Sequence, residues 1–240
     1  MIDQNNNISK TDDASATSLM IGSTAPNFQA RTTKGEILLS DYKGKWVLMF
    51  CHPADFTPVC TTEFISLAKA KSEFDNLNVQ LLGLSIDSIF SHRNWIEWME
   101  TNANVTIDFP IIEDISMTIA KAYHMISNSH QNTTTVRACI FIDPEQTIQA
   151  FVNYPMHIGW SIEELLRVQK ALINTNDSSR ATPANWKPGD AYMWYSLARY
   201  NEHETANENI EKLEQSMTPA DISTARDMAR TCLESGYKDC

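Results

Sequence analysis

The segment Lys45 to Cys51 (KWVLMFC) constrains the fold more than any other: it is a continuous apolar run of strand length, bounded by Lys43-Gly44 and by His52-Pro53. Apolar side chains on both faces of so short a run read as a strand buried on both sides. A helix is predicted to follow it. Pro58 stands where a first helical turn accepts proline, and Thr61 to Phe74 (TTEFISLAKAKSEF) places Phe64, Leu67, Ala68 and Phe74 at helical spacing.

The alternation continues along the chain. Val79 to Ile86 (VQLLGLSI) reads as a second buried strand, Phe90 to Glu100 as an amphipathic helix, Phe109 to Ile112 as a strand and Ser116 to Tyr123 as a helix. Thr135 to Ile142 and Thr147 to Asn153 read as strands joined by Asp143-Pro144-Glu145-Gln146, a hairpin. Ser161 to Leu172 closes the unit as a helix, with Ser161 and Glu164 at capping-box spacing. Strands that alternate with helices and end in a hairpin define the α/β class, a mixed sheet flanked by helices.

After Asn174 the composition turns to Asn, Asp, Ser, Thr and Pro (NTNDSSRATPANWKPGD), a connecting arm. From Ala191 the chain is polar and helix-prone without a strong apolar face, and Thr218-Pro219-Ala220-Asp221 marks a helix start. The expected organisation is a disordered segment over 1–19, one main domain over 20–174, and an arm with a helical extension over 175–240.

A chain of 240 residues, 42% hydrophobic, can bury one sizeable core. Its formal charge of -11 argues against a nucleic acid or an anionic membrane as partner, since both need clustered Lys and Arg. Met1 to Met20 is polar and lacks the pattern of a signal peptide, and no uncharged apolar stretch reaches the roughly 18 residues that cross a bilayer. A cytoplasmic protein is expected. The five cysteines are scattered and odd in number, unlike a secreted disulfide scaffold. They include no C-x-x-C pair, which removes thioredoxin-type exchange, and the spacing of Cys51, His52 and Cys60 suits no metal. Neither a metal nor another cofactor is expected.

Cys60 falls in the first turn of the predicted helix, where backbone N–H groups and the positive end of the helix dipole stabilise a thiolate. Thr57 and His52 bring a hydroxyl and an imidazole close in sequence, and Pro53 and Pro58 stiffen the loop. Arg137 is the lone basic residue in an apolar strand, and its burial requires a charge partner such as a thiolate or Glu63. Cys51 and Cys139 sit in buried strands and read as small core residues. His92, His124, His130, His157 and His203 read as surface or structural histidines.

The spacing Pro53-x-x-x-Thr57-x-x-Cys60 resembles the peroxidatic motif of the peroxiredoxins. The likeness extends through Thr61-Thr62-Glu63-Phe64, Leu84-Ser85-Ile86-Asp87-Ser88, Phe109-Pro110-Ile111-Ile112 and Thr135-Val136-Arg137. His52 to Cys60 and the arm Ala181 to Trp186 are most similar to the one-cysteine-type subfamily and its archaeal relatives. The resemblance implies a thioredoxin-like fold and a thiol-dependent peroxidase acting on hydrogen peroxide and small organic hydroperoxides. Cys60 is then the peroxidatic cysteine, Thr57 and Arg137 orient and polarise the peroxide, His52 lies beside the sulfur, and Pro53 and Glu63 belong to the same site. It also implies a homodimer or larger homo-oligomer and a thiol reductant, a thioredoxin-like protein or a small thiol. At Trp160 relatives usually carry arginine. The thiol that captures the Cys60 sulfenic acid is left open between Cys240, Cys232 and an external thiol. A redox-regulated holdase or a peroxide-signalling protein with little turnover is the competing expectation.

Thiolate formation alone does not make a peroxidase. For any thiol, lowering the pKa from about 8.5 to about 6 raises the thiolate fraction at neutral pH roughly 30-fold. A Brønsted slope of about 0.4–0.5 then takes back roughly tenfold in nucleophilicity. The remaining rate must come from groups that align the peroxide and take up charge on the departing oxygen, for which Thr57, Arg137 and backbone N–H groups are suited.

Overall fold

The computed structural model describes residues 19–126, 135–176, 181–187, 189–215 and 217–238. Residues 1–18 of the expected N-terminal segment, His130, Cys240 and part of the arm lie outside the described residues.

The chain divides into two compact units. The first runs through Phe56 and takes up Gln80–Ile96 and Phe109–Met156; the second is made of Thr57–Val79, Glu97–Asp108 and His157–Cys240. The first holds a seven-stranded sheet built from β1 (Gln29–Thr32), β2 (Gly35–Leu38), β3 (Trp46–Cys51), β4 (Val79–Ser85), β5 (Ile111–Glu113), β6 (Arg137–Ile142) and β7 (Ile148–Tyr154), in the order β2-β1-β5-β4-β3-β6-β7. The pairing is mixed: β4 and β5 run parallel, while β3 with β6 and β6 with β7 are antiparallel. β3 and β6 are buried at every residue, as continuous apolar runs require of interior strands. β2 at one edge is short and largely exposed, and β7 at the other is half-buried.

Alternate residues of the interior strands feed a single cluster. Val47, Met49 and Cys51 join Leu84, Ile112 and Ile140 in it. On other positions Phe50 meets Phe109 edge-on, with ring centroids 5.6 Å apart. The β6–β7 hairpin turns on Asp143, whose Oδ1 accepts the N–H groups of Glu145 (3.0 Å) and Thr147 (2.7 Å), and Gln146 takes a positive φ of 66°. The first unit also carries α3 (Thr118–Ala122), and α2 (Ile89–Ala103) begins within it. β1 and β2 have no counterpart in the apolar pattern of the sequence.

The second unit contains α1 (Pro58–Asn76), α4 (Ile162–Asn174), α5 (Asp190–Tyr200), α6 (Ala206–Glu214) and α7 (Pro219–Glu234). Ser161 caps α4 by accepting the Glu164 N–H at 3.2 Å, and Thr218 caps α7 by accepting the Asp221 N–H at 3.2 Å. The three last helices close small apolar clusters of their own: Met193, Leu197, Ala229 and Cys232 in one, Tyr192, Ile210 and Ala225 in the other. Gly189 precedes α5 at φ +100°, and a Cβ there would stand 3.0 Å from the Ala225 Cβ. Among the described residues no helix is long and apolar enough to cross a membrane.

Candidate active site

The chain leaves β3 into a loop that is fixed by its own backbone. The His52 N–H donates to the Leu84 carbonyl at 3.0 Å, and the His52 carbonyl accepts the Thr135 hydroxyl at 3.0 Å. The His52 side chain is fully buried, its Nε2 2.7 Å from Asp55 Oδ1. Asp55 Oδ2 lies 2.8 Å from Nδ1 of His92 on α2, and His92 Nε2 is 3.1 Å from the Ile112 carbonyl. The Asp55 N–H donates to Asp87 Oδ2 at 2.9 Å, which also accepts the Ser85 hydroxyl at 2.9 Å. The His52 ring lies against Trp95, with centroids 5.1 Å apart.

Burial pushes the Asp55 carboxyl up, but hydrogen bonds from His52 and His92 outweigh it and hold the group well below the usual carboxylate range. For His52 burial is the largest effect and lowers its pKa, only partly offset by Asp55. The loop therefore carries a negative carboxylate and a histidine that resists protonation.

Phe56 follows in a left-handed backbone conformation, φ 57°, which costs a bulky residue energy and marks a strained point just before the helix. In the second unit Thr57 opens α1 with extended backbone, Pro58 takes the first helical position and Cys60 the third. The Thr57 carbonyl accepts both the N–H (3.0 Å) and the hydroxyl (2.8 Å) of Thr61. Cys60 is fully buried at the positive end of this 19-residue helix. Glu63, also buried, accepts the Trp160 N–H at 3.0 Å. Gly159 permits that approach: a Cβ there would meet Val59 Cγ1 at 3.2 Å and Glu63 Oε1 at 3.4 Å.

Arg137 begins β6 and is buried, and its Nε donates to the Met156 carbonyl at 2.7 Å. Pro53 is buried beside His52. Cys51 and Cys139 are fully buried in adjacent strands, as core residues should be. Cys232 is fully buried in α7 and disulfide-bonded.

The sequence did not connect Asp55 with His92. A signal was present: Ile89, His92, Trp95 and Met99 share one helical face, and all four are fully buried. A histidine on such a face needs a polar partner. His52, Asp55 and His92 bring one ligand-type atom each within 4.8 Å of one another, but their 2.7 and 2.8 Å N···O separations are those of hydrogen bonds rather than of neighbouring ligands around an ion.

The mixed seven-stranded sheet with its helices is a thioredoxin-like fold, and it carries a buried thiol, Cys60, in the first turn of a helix with no second cysteine at C-x-x-C spacing. The chain belongs to the AhpC/TSA family, whose profile matches residues 21–151, and has the thiol peroxidase activity of a peroxiredoxin. It is 48% identical to peroxiredoxin 2 of Picrophilus torridus over 170 residues, 71% of this chain and 84% of that protein. It is likewise 48% identical to a peroxiredoxin of Thermoplasma volcanium, over 71% of this chain and 83% of the other. Among solved structures, the yeast mitochondrial 1-Cys peroxiredoxin superposes with a TM-score of 0.67 at 43% identity, covering 72% of this chain and 84% of that one. A peroxiredoxin 6 variant of Arenicola marina gives 0.67 at 33% identity, covering 71% and 81%.

Proposed function

We propose that Cys60 is the peroxidatic cysteine and that it reduces hydrogen peroxide and small organic hydroperoxides. The observation that carries this is its place: a buried thiol at the third position of α1, directly after a loop pinned by His52 and Asp55. The Cys60 thiolate attacks one peroxide oxygen, the S–O bond forms as the O–O bond breaks, and the electron pair leaves on the second oxygen, which takes up a proton. Cys60 is left as a sulfenic acid. Thr57 and Arg137 orient and polarise the peroxide, with His52, Pro53 and Glu63 as the further candidate residues.

A thiol then condenses with the sulfenic acid, forming a disulfide and releasing water, and a second thiol reduces that disulfide. Cys240, Cys232 and an external thiol are the candidates for the first step. Cys232, disulfide-bonded and buried, offers a thiol only after its own reduction. The reductant is a thioredoxin-like protein or a small thiol. The enzyme works in the cytoplasm as a homodimer or larger assembly, with residues 20–174 as the peroxidase domain and 175–240 as its arm and helical extension.

The experiment is a comparison of two reactions in Arg137→Ala. The rate of Cys60 oxidation by hydrogen peroxide should fall about 10²–10³-fold, the size of a lost charge-stabilising donor, while alkylation by iodoacetamide slows far less. Equal losses in both would reduce Arg137 to an activator of the thiol. Sustained turnover with an added dithiol separates this enzyme from a holdase or sensor that reacts once and stalls.

A further inference from the structure

Residues 190–240 hold ten Asp and Glu against five Lys and Arg, yet one groove there is lined by the opposite charge. All three arginines of that stretch, Arg199, Arg226 and Arg230, line a single groove of about 450 Å³ formed by α5 and α7. No carboxylate is among the described residues that line it. Helical spacing puts the arginines together. Ser196, Arg199 and Tyr200 share one face of α5, and Arg226, Ala229, Arg230 and Leu233 share one face of α7.

Two of the guanidinium groups are oriented without being used up. Arg226 donates from Nε to the Tyr192 hydroxyl at 3.1 Å and from Nη2 to Glu214 at 3.0 Å, and Arg230 donates from Nη2 to Asp227 at 2.7 Å. A guanidinium has five N–H donors, so more than half of each set remains available. The Arg199 side chain makes no hydrogen bond or ion pair with a described residue. Forks held in place before binding lose less freedom when a ligand arrives.

Three forks from two helices suit an oxyanion with three terminal oxygens better than a carboxylate with two. Ser196, also in the lining, has a buried hydroxyl oxygen without a hydrogen-bond partner among the described residues, a polar group that an oxyanion would satisfy. Tyr200, 69% exposed, and Leu233 add a ring and an apolar surface to the same groove. Its volume falls among small-molecule sites, roughly 300–1,000 Å³.

We propose that the groove between α5 and α7 binds a nucleoside monophosphate, with the phosphate held by Arg199, Arg226 and Arg230 and the planar base against Tyr200. A nucleic acid is not the occupant, because a polyanion running past the groove would meet the acidic surface around it.

Isothermal titration calorimetry on the full-length protein in phosphate-free buffer tests the site with three probes: AMP, inorganic phosphate and adenosine. AMP should bind saturably, one per chain, inorganic phosphate more weakly, and adenosine not at all. Arg199→Gln, Arg226→Gln and Arg230→Gln should each weaken AMP binding about tenfold or more, the loss of one charge-assisted contact. Tyr200→Ser should weaken AMP while leaving phosphate unchanged. The side chains of Arg226 and Arg230 are 63% and 66% exposed, so their replacement does not open the core, and melting curves of every variant check its fold. Should Arg199→Gln not fold, Arg199→Lys keeps the charge, loses the fork and should still bind AMP more weakly than the parent. Cys60→Ser should bind AMP as the parent does. The absence of saturable AMP binding at millimolar concentration, binding of adenosine as tight as that of AMP, or AMP binding that survives all three arginine substitutions overturns the site. Equal affinity for AMP and inorganic phosphate overturns the nucleoside as ligand.

Discussion

The His52–Asp55–His92 network and the Tyr192–Glu214–Arg226 network use hydrogen bonds of similar length, but one is sealed from water and the other is washed by it. In the first unit the N···O separations are 2.7 and 2.8 Å and the side chains are at most 2% exposed. In the second unit Tyr192 donates to Glu214 at 2.8 Å and Arg226 reaches Glu214 at 3.0 Å, with side chains 63% and 35% exposed for Arg226 and Glu214. Coulomb attraction scales inversely with the effective dielectric, so the two resemble each other in geometry and differ in consequence. Breaking the buried network strands a charge; breaking the exposed one admits solvent.

Asp55→Ala is the sharpest way to break the comparison. It leaves both buried histidines without the carboxylate they share and should cost about 3–5 kcal/mol of stability in denaturant titrations. Next comes Gly189→Ala, because the C-terminal helices are held by packing rather than by their charges. The Cβ 3.0 Å from Ala225, together with φ +100°, should destabilise the protein by about 1–3 kcal/mol in the same titrations.

Acidification should act through the buried network with a smaller effect over the mild range. The pKa of His52 is lowered in the folded state, so below roughly pH 6.5 the unfolded chain takes up a proton that the folded one resists, and stability falls. Asp55, also lowered, adds its loss below roughly pH 4. Thermal melting between pH 7.5 and 5 should show a decline that His52→Gln flattens. The smallest effect is expected from Arg226→Ala, which should leave the melting temperature nearly unchanged. A loss there larger than for Gly189→Ala would show that the exposed network holds these helices after all.

The same contrast explains what could be read from the sequence. β3 and β6 announce themselves because an interior strand must be apolar throughout, and Pro58 and Ser161 mark helix starts through local backbone chemistry. β1 and β2 do not, since each has only four residues and they become strands by pairing with each other and, through Thr32 and Ile112, with β5. Thr57 and Cys60 are legible because they lie within one short motif. The tie from Asp55 to His92 spans 37 residues and depends on how α2 is rotated. The Met156 carbonyl that receives Arg137 lies beyond β7, where no local pattern points to it.

Cys60 is the residue on which peroxidase activity should depend, and the most direct test is peptide mass spectrometry under non-reducing conditions after one equivalent of hydrogen peroxide. Cys51, Cys60 and Cys139 are all fully buried, so burial does not distinguish them; only Cys60 stands at a helix N-terminus. The first oxygen or the first new disulfide should therefore appear on Cys60, and Cys60→Ser should lose peroxide consumption. Oxidation that appears first on Cys51 or Cys139, or peroxide consumption that persists in Cys60→Ser, would contradict the account.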